Sequence, residues 1–124
     1  MKKILACITA SCMFMMLAVA PAMAVAPVTV NFVYASADVT TFGVTAFSIE
    51  RKAEACAGVN SAFAAIGTVG NTLRTFTDAT VAASTTYCYR VRAVNAAGVS
   101  APSNTAEKTT IADLPPAPTS VTAT

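Results

Sequence analysis

The 124-residue chain carries 8 basic and 6 acidic side chains and 4 cysteines, with neither histidine nor tryptophan. Without histidine it lacks the side chain that most often serves as general base near neutral pH and as a neutral metal ligand. Two of its lysines stand at positions 2 and 3, so the small positive balance is not the clustered basic surface by which proteins displace counterions from nucleic acid.

Those lysines open a familiar pattern. An apolar run from Ile4 to Ala20 follows them, and then "PAMAVAP" (21–27), where Ala22-Met23-Ala24 has the small-x-small form of a cleavage site. Positive start, apolar centre and small-residue exit predict a secretory signal peptide over residues 1–24, removed after Ala24. The competing reading is an uncleaved anchor, since the apolar run just reaches the length of a membrane span. Cys7 and Cys12 lie inside the run and not after it, which disfavours a lipoprotein. Cleavage leaves residues 25–124 as one small domain, detached from the membrane, with 6 basic and 6 acidic side chains and two cysteines, Cys56 and Cys88. Export would take that pair to a compartment that permits disulfides.

The remaining sequence is rich in Thr, Val and Ala and shows no sustained helical period. "AEACAGVNSAFAAIG" (53–67) is alanine-rich, but Gly58, Val59, Asn60 and Ser61 interrupt it and predict a loop followed by a strand. Alternating and β-branched runs predict strands over 28–34, 46–52, 63–69, 73–77, 85–95 and 101–110, with "GNT" (70–72) as a turn. Short strands punctuated by turns predict an all-β, two-sheet antiparallel sandwich. Within "TTYCYRVRAVN" (85–95), Tyr87, Tyr89, Val91 and Ala93 share one face, and Cys88, Arg90, Arg92 and Val94 share the other. Two arginines are costly to bury unpaired, so the tyrosine face is expected inside and Cys88 outside.

In "SIERK" (48–52), "TFTDATVAASTTYCYRVRAVNAAGVSAPSN" (75–104) and their spacing, the chain resembles a fibronectin type III module of the immunoglobulin-like class. Tyr87, Tyr89, Val91, Ala93, Asn95, Gly98 and Ser100 to Ser103 match that family's pattern, Tyr87 at the position of its tyrosine corner. The resemblance spans about residues 28–110 and is weaker in its first half. There Phe32 stands where the family has a core tryptophan, and the segment between Phe32 and Phe47 is several residues longer than usual. An immunoglobulin domain proper fits less well, because its second core cysteine falls two residues after the corner tyrosine, where this chain has Tyr89.

The resemblance implies that the strand over 85–95 pairs antiparallel with the strand over 46–52, whose inward residue is Ile49. It thereby implies a Cys56–Cys88 disulfide pinning the connection after Lys52 to the outer sheet face. Arg90, Arg92, Glu50 and Lys52 then share that face, either as cross-strand charge pairs or as an exposed contact surface. Asn95 and Gly98 read as turn residues; no Arg-Gly-Asp tripeptide and no glycosylation sequon is present. Asp38, Asp78 and Glu107 are scattered without a neighbouring nucleophile or base, and no enzyme activity, metal or cofactor is expected.

After position 110 the composition turns proline-rich, and "PPAPTSVTAT" (115–124) resembles the first strand of another such module. The first module in turn is expected to have a missing or vestigial opening strand of its own, since only Val25, Ala26 and Pro27 precede the strand expected from Val28. The expected function is therefore an exported spacer, adhesion or protein-interaction module within a longer protein, its protein or polysaccharide partner unspecified. The alternative is a self-assembling subunit whose C-terminal strand completes a neighbouring copy, and a carbohydrate-binding accessory module ranks behind both.

Overall fold

A computed structural model of the chain describes residues 25–111 and 120–124. The expected leader over 1–24 and most of the proline-rich segment over 111–124 lie outside the described residues. In chain order the elements are β1 (Val28–Asn31), α1 (Ser36–Thr41), β2 (Ala46–Lys52), β3 (Ala64–Gly70), β4 (Thr75–Asp78), β5 (Thr86–Asn95), β6 (Gly98–Val99) and β7 (Ala106–Thr109). They form an all-β sandwich of two antiparallel sheets. β1 and β4 make one sheet; β3, β2 and β5 run side by side in the other, with β6 and β7 both on the far edge of β5.

Side-chain alternation explains how the sheets meet. On β1 the valines Val28 and Val30 are buried while Thr29 and Asn31 are exposed. On β2 Phe47 and Ile49 point inward, and on β5 Tyr87, Tyr89 and Val91 do the same. Val44 and Val81 complete the cluster. Burying a side chain such as Phe47 or Ile49 contributes about 1.5–3 kcal/mol. Half-buried Phe32 and Tyr34 pack edge-on against Phe47, with ring centroids 4.9 and 5.1 Å away, so three aromatic rings pack together at this part of the core.

Tyr87 is buried and its hydroxyl accepts the Ala82 amide at 2.9 Å. This single bond ties the connection before β5 back onto that strand. Tyr87→Phe should cost about 0.5–1.5 kcal/mol, the net value of one hydrogen bond, because Ala82 is exposed and its N–H can turn to water. A denaturant titration should show it as a lower midpoint with an unchanged slope, because the compactness of the chain is unaffected.

Three local departures from the sequence reading have physical causes. The strand expected over 28–34 ends at Asn31, and the chain enters α1 at Ser36. That helix has six residues, no side-chain cap and one core-facing apolar residue, Val39, too little to produce a helical period. In the strand expected over 101–110, only Ala106–Thr109 joins the ladder. Ahead of it two serines replace ladder partners: Ser100 and Ser103 each donate their amide to β5 and accept a β5 amide on their hydroxyl. Finally, β2 and β3 shift register between Ile49 and Glu50, a bulge that places Ile66 opposite no single partner.

The two sides of the sandwich differ. On the β3–β4 side the sheets close tightly, and the Phe76 ring lies over Gly67, where an added methyl group would sit 2.6 Å from it. On the β1–β7 side they stand apart, and a groove runs between them.

Candidate functional site

The outer face of the β2–β5 pair gathers the charged residues and the cysteines. Cys56 and Cys88 are joined, with S–S 2.05 Å and Cα–Cα 5.0 Å. Cys88 faces away from the hydrophobic cluster, as alternation requires, yet it is fully buried. It takes the outer face expected of it but is not exposed there, because the loop over 53–63 folds down over it. That loop is held by more than sulfur. Lys52 is buried and donates to the Cys56 and Gly58 carbonyls, Glu54 accepts the Asn60 and Ser61 amides, and Glu107 of β7 accepts the Cys56 amide at 2.8 Å. The Phe63 ring lies 4.0 Å from the Arg90 guanidinium and 5.4 Å from the Lys52 ammonium, a cation–π arrangement.

Glu50 sits between Arg90 and Arg92 and accepts from both, Arg92 at 3.1 Å. Burial pushes its carboxyl pKa up, but the hydrogen bonds and charges of the two arginines outweigh burial and hold it below the usual range. The four residues proposed as an exposed contact face, Arg90, Arg92, Glu50 and Lys52, are thus paired with one another or covered. Lys52 is inaccessible, and the side chains of the other three retain 16–24% exposure. The cross-strand charge pairing expected of this face is present, with Glu50 bridging Arg90 and Arg92.

At the end of the sandwich near Asp78 lies a second polar cluster that sequence reasoning missed. Asp78 is 2% exposed and accepts Arg51 at 2.6 Å, the Tyr89 hydroxyl at 2.9 Å, and both the amide and the hydroxyl of Thr80. Burial raises its pKa, and the Thr80, Arg51 and Tyr89 donors more than reverse that, so the carboxylate is held low. Burial and the neighbouring carboxylate push the Tyr89 hydroxyl well above its usual value. A signal for the pair was present: alternation from Ile49 puts Arg51 on the inner face, where an arginine requires an acid. At the opposite end Arg74 caps the core over the Phe47 ring, 4.8 Å away, and donates to the carbonyls of Tyr34, Asn71 and Leu73.

The carboxylates Glu50, Glu54, Asp78 and Glu107 all accept hydrogen bonds from the chain's own fold. Among the described residues there is no group of three or more potential metal ligands. No helix among them is long and apolar enough to cross a membrane.

The groove between the sheets offers binding room beside an open strand edge. Its centre, about 440 Å³, lies between Pro27–Asn31 and Ala106–Lys108 and is lined by Tyr89. It continues past Val25 and Ile111 at one end and past Val33 and Ser103 at the other. Backbone geometry makes its β1 wall an acceptor edge. The Phe32 amide donates to the Arg74 carbonyl, so by alternation Val28 and Val30 direct their N–H and C=O groups toward β4. Thr29 and Asn31 direct theirs the other way, along an edge that pairs with no strand among the described residues. Val33, at the end of that edge, is 98% exposed.

Among known proteins, no family model matches the chain and no curated protein matches it.

Proposed function

We propose that this chain is an exported, disulfide-stapled module of the fibronectin type III kind, acting without catalysis as a spacer or protein-contact unit at or beyond the cell envelope. The observation that carries the reading is the contrast between its polar side chains and its backbone. The side chains that would do chemistry are absorbed into the fold's own pairs, whereas the β1 edge, which pairs with no strand among the described residues, presents backbone donors and acceptors beside a groove. Unpaired strand edges bind extended segments through main-chain hydrogen bonds, with alternate side chains entering the groove.

The family resemblance is supported by the Tyr87 corner bond and by the pairing of β2 with β5. Export is supported by the leader pattern and by a cysteine pair at bonding distance, since such bonds persist in oxidising compartments. The test is fractionation of cells expressing the full chain, with N-terminal sequencing and thiol labelling. The reading expects an extracytoplasmic chain that begins at Val25 and has no reactive thiol. A cytoplasmic chain that keeps residues 1–24 and labels at Cys56 and Cys88 would refute it.

A further inference from the structure

We propose that the β1 edge is completed by the C-terminal segment Ser120–Thr124 of a second copy, so that the chain assembles head to tail. The inference rests on the module reading above and names the partner of its open edge.

Four observations lead to it. The first is register. A strand laid antiparallel on β1 must offer its own N–H and C=O groups opposite Thr29 and Asn31, and apolar side chains opposite Val28 and Val30. "SVTAT" does this in one alignment: Ser120 opposite Asn31, Val121 opposite Val30, Thr122 opposite Thr29 and Ala123 opposite Val28. Val121 and Ala123 then enter the groove toward Tyr89, while the hydroxyl-bearing residues stay outside. A shift of one residue would reverse every side chain. The second is availability: residues 120–124 are exposed, belong to no strand, and leave Val121 88% accessible.

The third is chain direction. Val25 and Ala26 lie beside Thr109–Ile111, and Val33 lies beside Ser100–Ser103, so β1 and the last strand run in opposite directions along the groove. A strand antiparallel to β1 must enter at the Val33 end, whereas the chain's own tail departs at Ile111, beside Val25. The nine intervals from Ile111 to Ser120 reach about 30–32 Å fully extended. The six from Val25 to Asn31, which Ser120 must face, take about 20–22 Å, and the roughly 10 Å that remains has to make two reversals. A tail from another molecule meets no such limit. The fourth is charge: once residues 1–24 are removed, 6 basic and 6 acidic side chains give copies no net repulsion. Donation from one copy to the next is a heterologous contact, which builds an open series unless the rotation closes a ring.

The experiment is light scattering on size-exclusion fractions of the exported full chain over a range of concentrations. Beside it run Thr122→Pro, which removes the amide that would bond to Thr29, and Val121→Asp, which places a charge in the groove. Both changes lie in the exposed tail, so the sandwich should keep its unfolding transition. Oligomers that grow with concentration and are lost in both variants are expected. The monomeric Thr122→Pro chain should in addition bind a synthetic APTSVTAT peptide one to one. A wild-type monomer at all concentrations overturns the proposal, as do oligomers that survive both substitutions. A monomer whose own tail amides resist hydrogen exchange overturns it too, because pairing is then within one copy. Any of these results obtained on an exported, oxidised, cooperatively folding chain leaves the module reading intact; a chain that is reduced or retained in the cytoplasm fails that reading instead.

Discussion

Asp78→Ala is expected to destabilise the chain by about 3–5 kcal/mol, toward the lower figure because Arg51 keeps some solvent contact. Removing this carboxylate strands four donors at once: the Arg51 guanidinium, the buried Tyr89 hydroxyl, and the amide and hydroxyl of Thr80. Water reaches Arg51, which is 19% exposed, more readily than it reaches the site of Asp78. The pair also sets an acid limit. Because the folded state holds the Asp78 carboxyl below its ordinary value, its stabilisation is complete above the unfolded pKa of about 4 and is lost as pH falls through the folded pKa. Glu50 is lowered in the same direction and steepens the decline. Urea titrations at a series of pH values should therefore show stability falling below about pH 4, with a shallower fall in Asp78→Asn. An Asp78→Ala chain within about 0.5 kcal/mol of wild type, the range of ordinary surface changes, would contradict this account of the cluster.

Removing the disulfide by Cys56→Ser with Cys88→Ala should cost at least about 3–4 kcal/mol, the chain-entropy value for a closed loop of this length, here a sequence separation of 32. For a domain whose total stability is of order 5–15 kcal/mol, that is a large share. The loss should exceed loop closure alone. Lys52 is buried only because the loop over 53–63 supplies the Cys56 and Gly58 carbonyls as acceptors, and a released loop leaves that ammonium without them. Chemical denaturation of the double variant, compared with reduced wild type, measures the effect; near-equal midpoints for oxidised wild type and the variant would show that the loop is held without the bond.

The fold was legible because its signal is periodic. Phe47 and Ile49 on β2, and Tyr87, Tyr89 and Val91 on β5, take alternate positions along their strands, and a two-residue period specifies both strand and inner face. Elements too short for a period were not legible: six residues of α1 and two of β6 are fixed by the strands on either side of them. Exposure was the harder quantity. Alternation placed Cys88, Arg90 and Arg92 on the outer face but said nothing of what would lie over them, because the covering loop is attached through carbonyls, Glu54 and Glu107 and has no sequence pattern of its own. The Asp78–Arg51 pair spans 27 positions, and only the demand of an inward arginine for an acid pointed to it. The open edge emerges from topology, in knowing that β1 has β4 on one side and no strand among the described residues on the other.

Amide hydrogen exchange at Thr29 and Asn31 tests that edge most directly. In the Thr122→Pro chain these two amides should exchange rapidly while Val28, Val30 and Phe32, which bond toward β4, are protected. In the wild-type chain, at concentrations where it assembles, Thr29 and Asn31 should become protected as well. Equal protection of Thr29 and Asn31 in the two chains would contradict the claim that partners bind by completing this sheet.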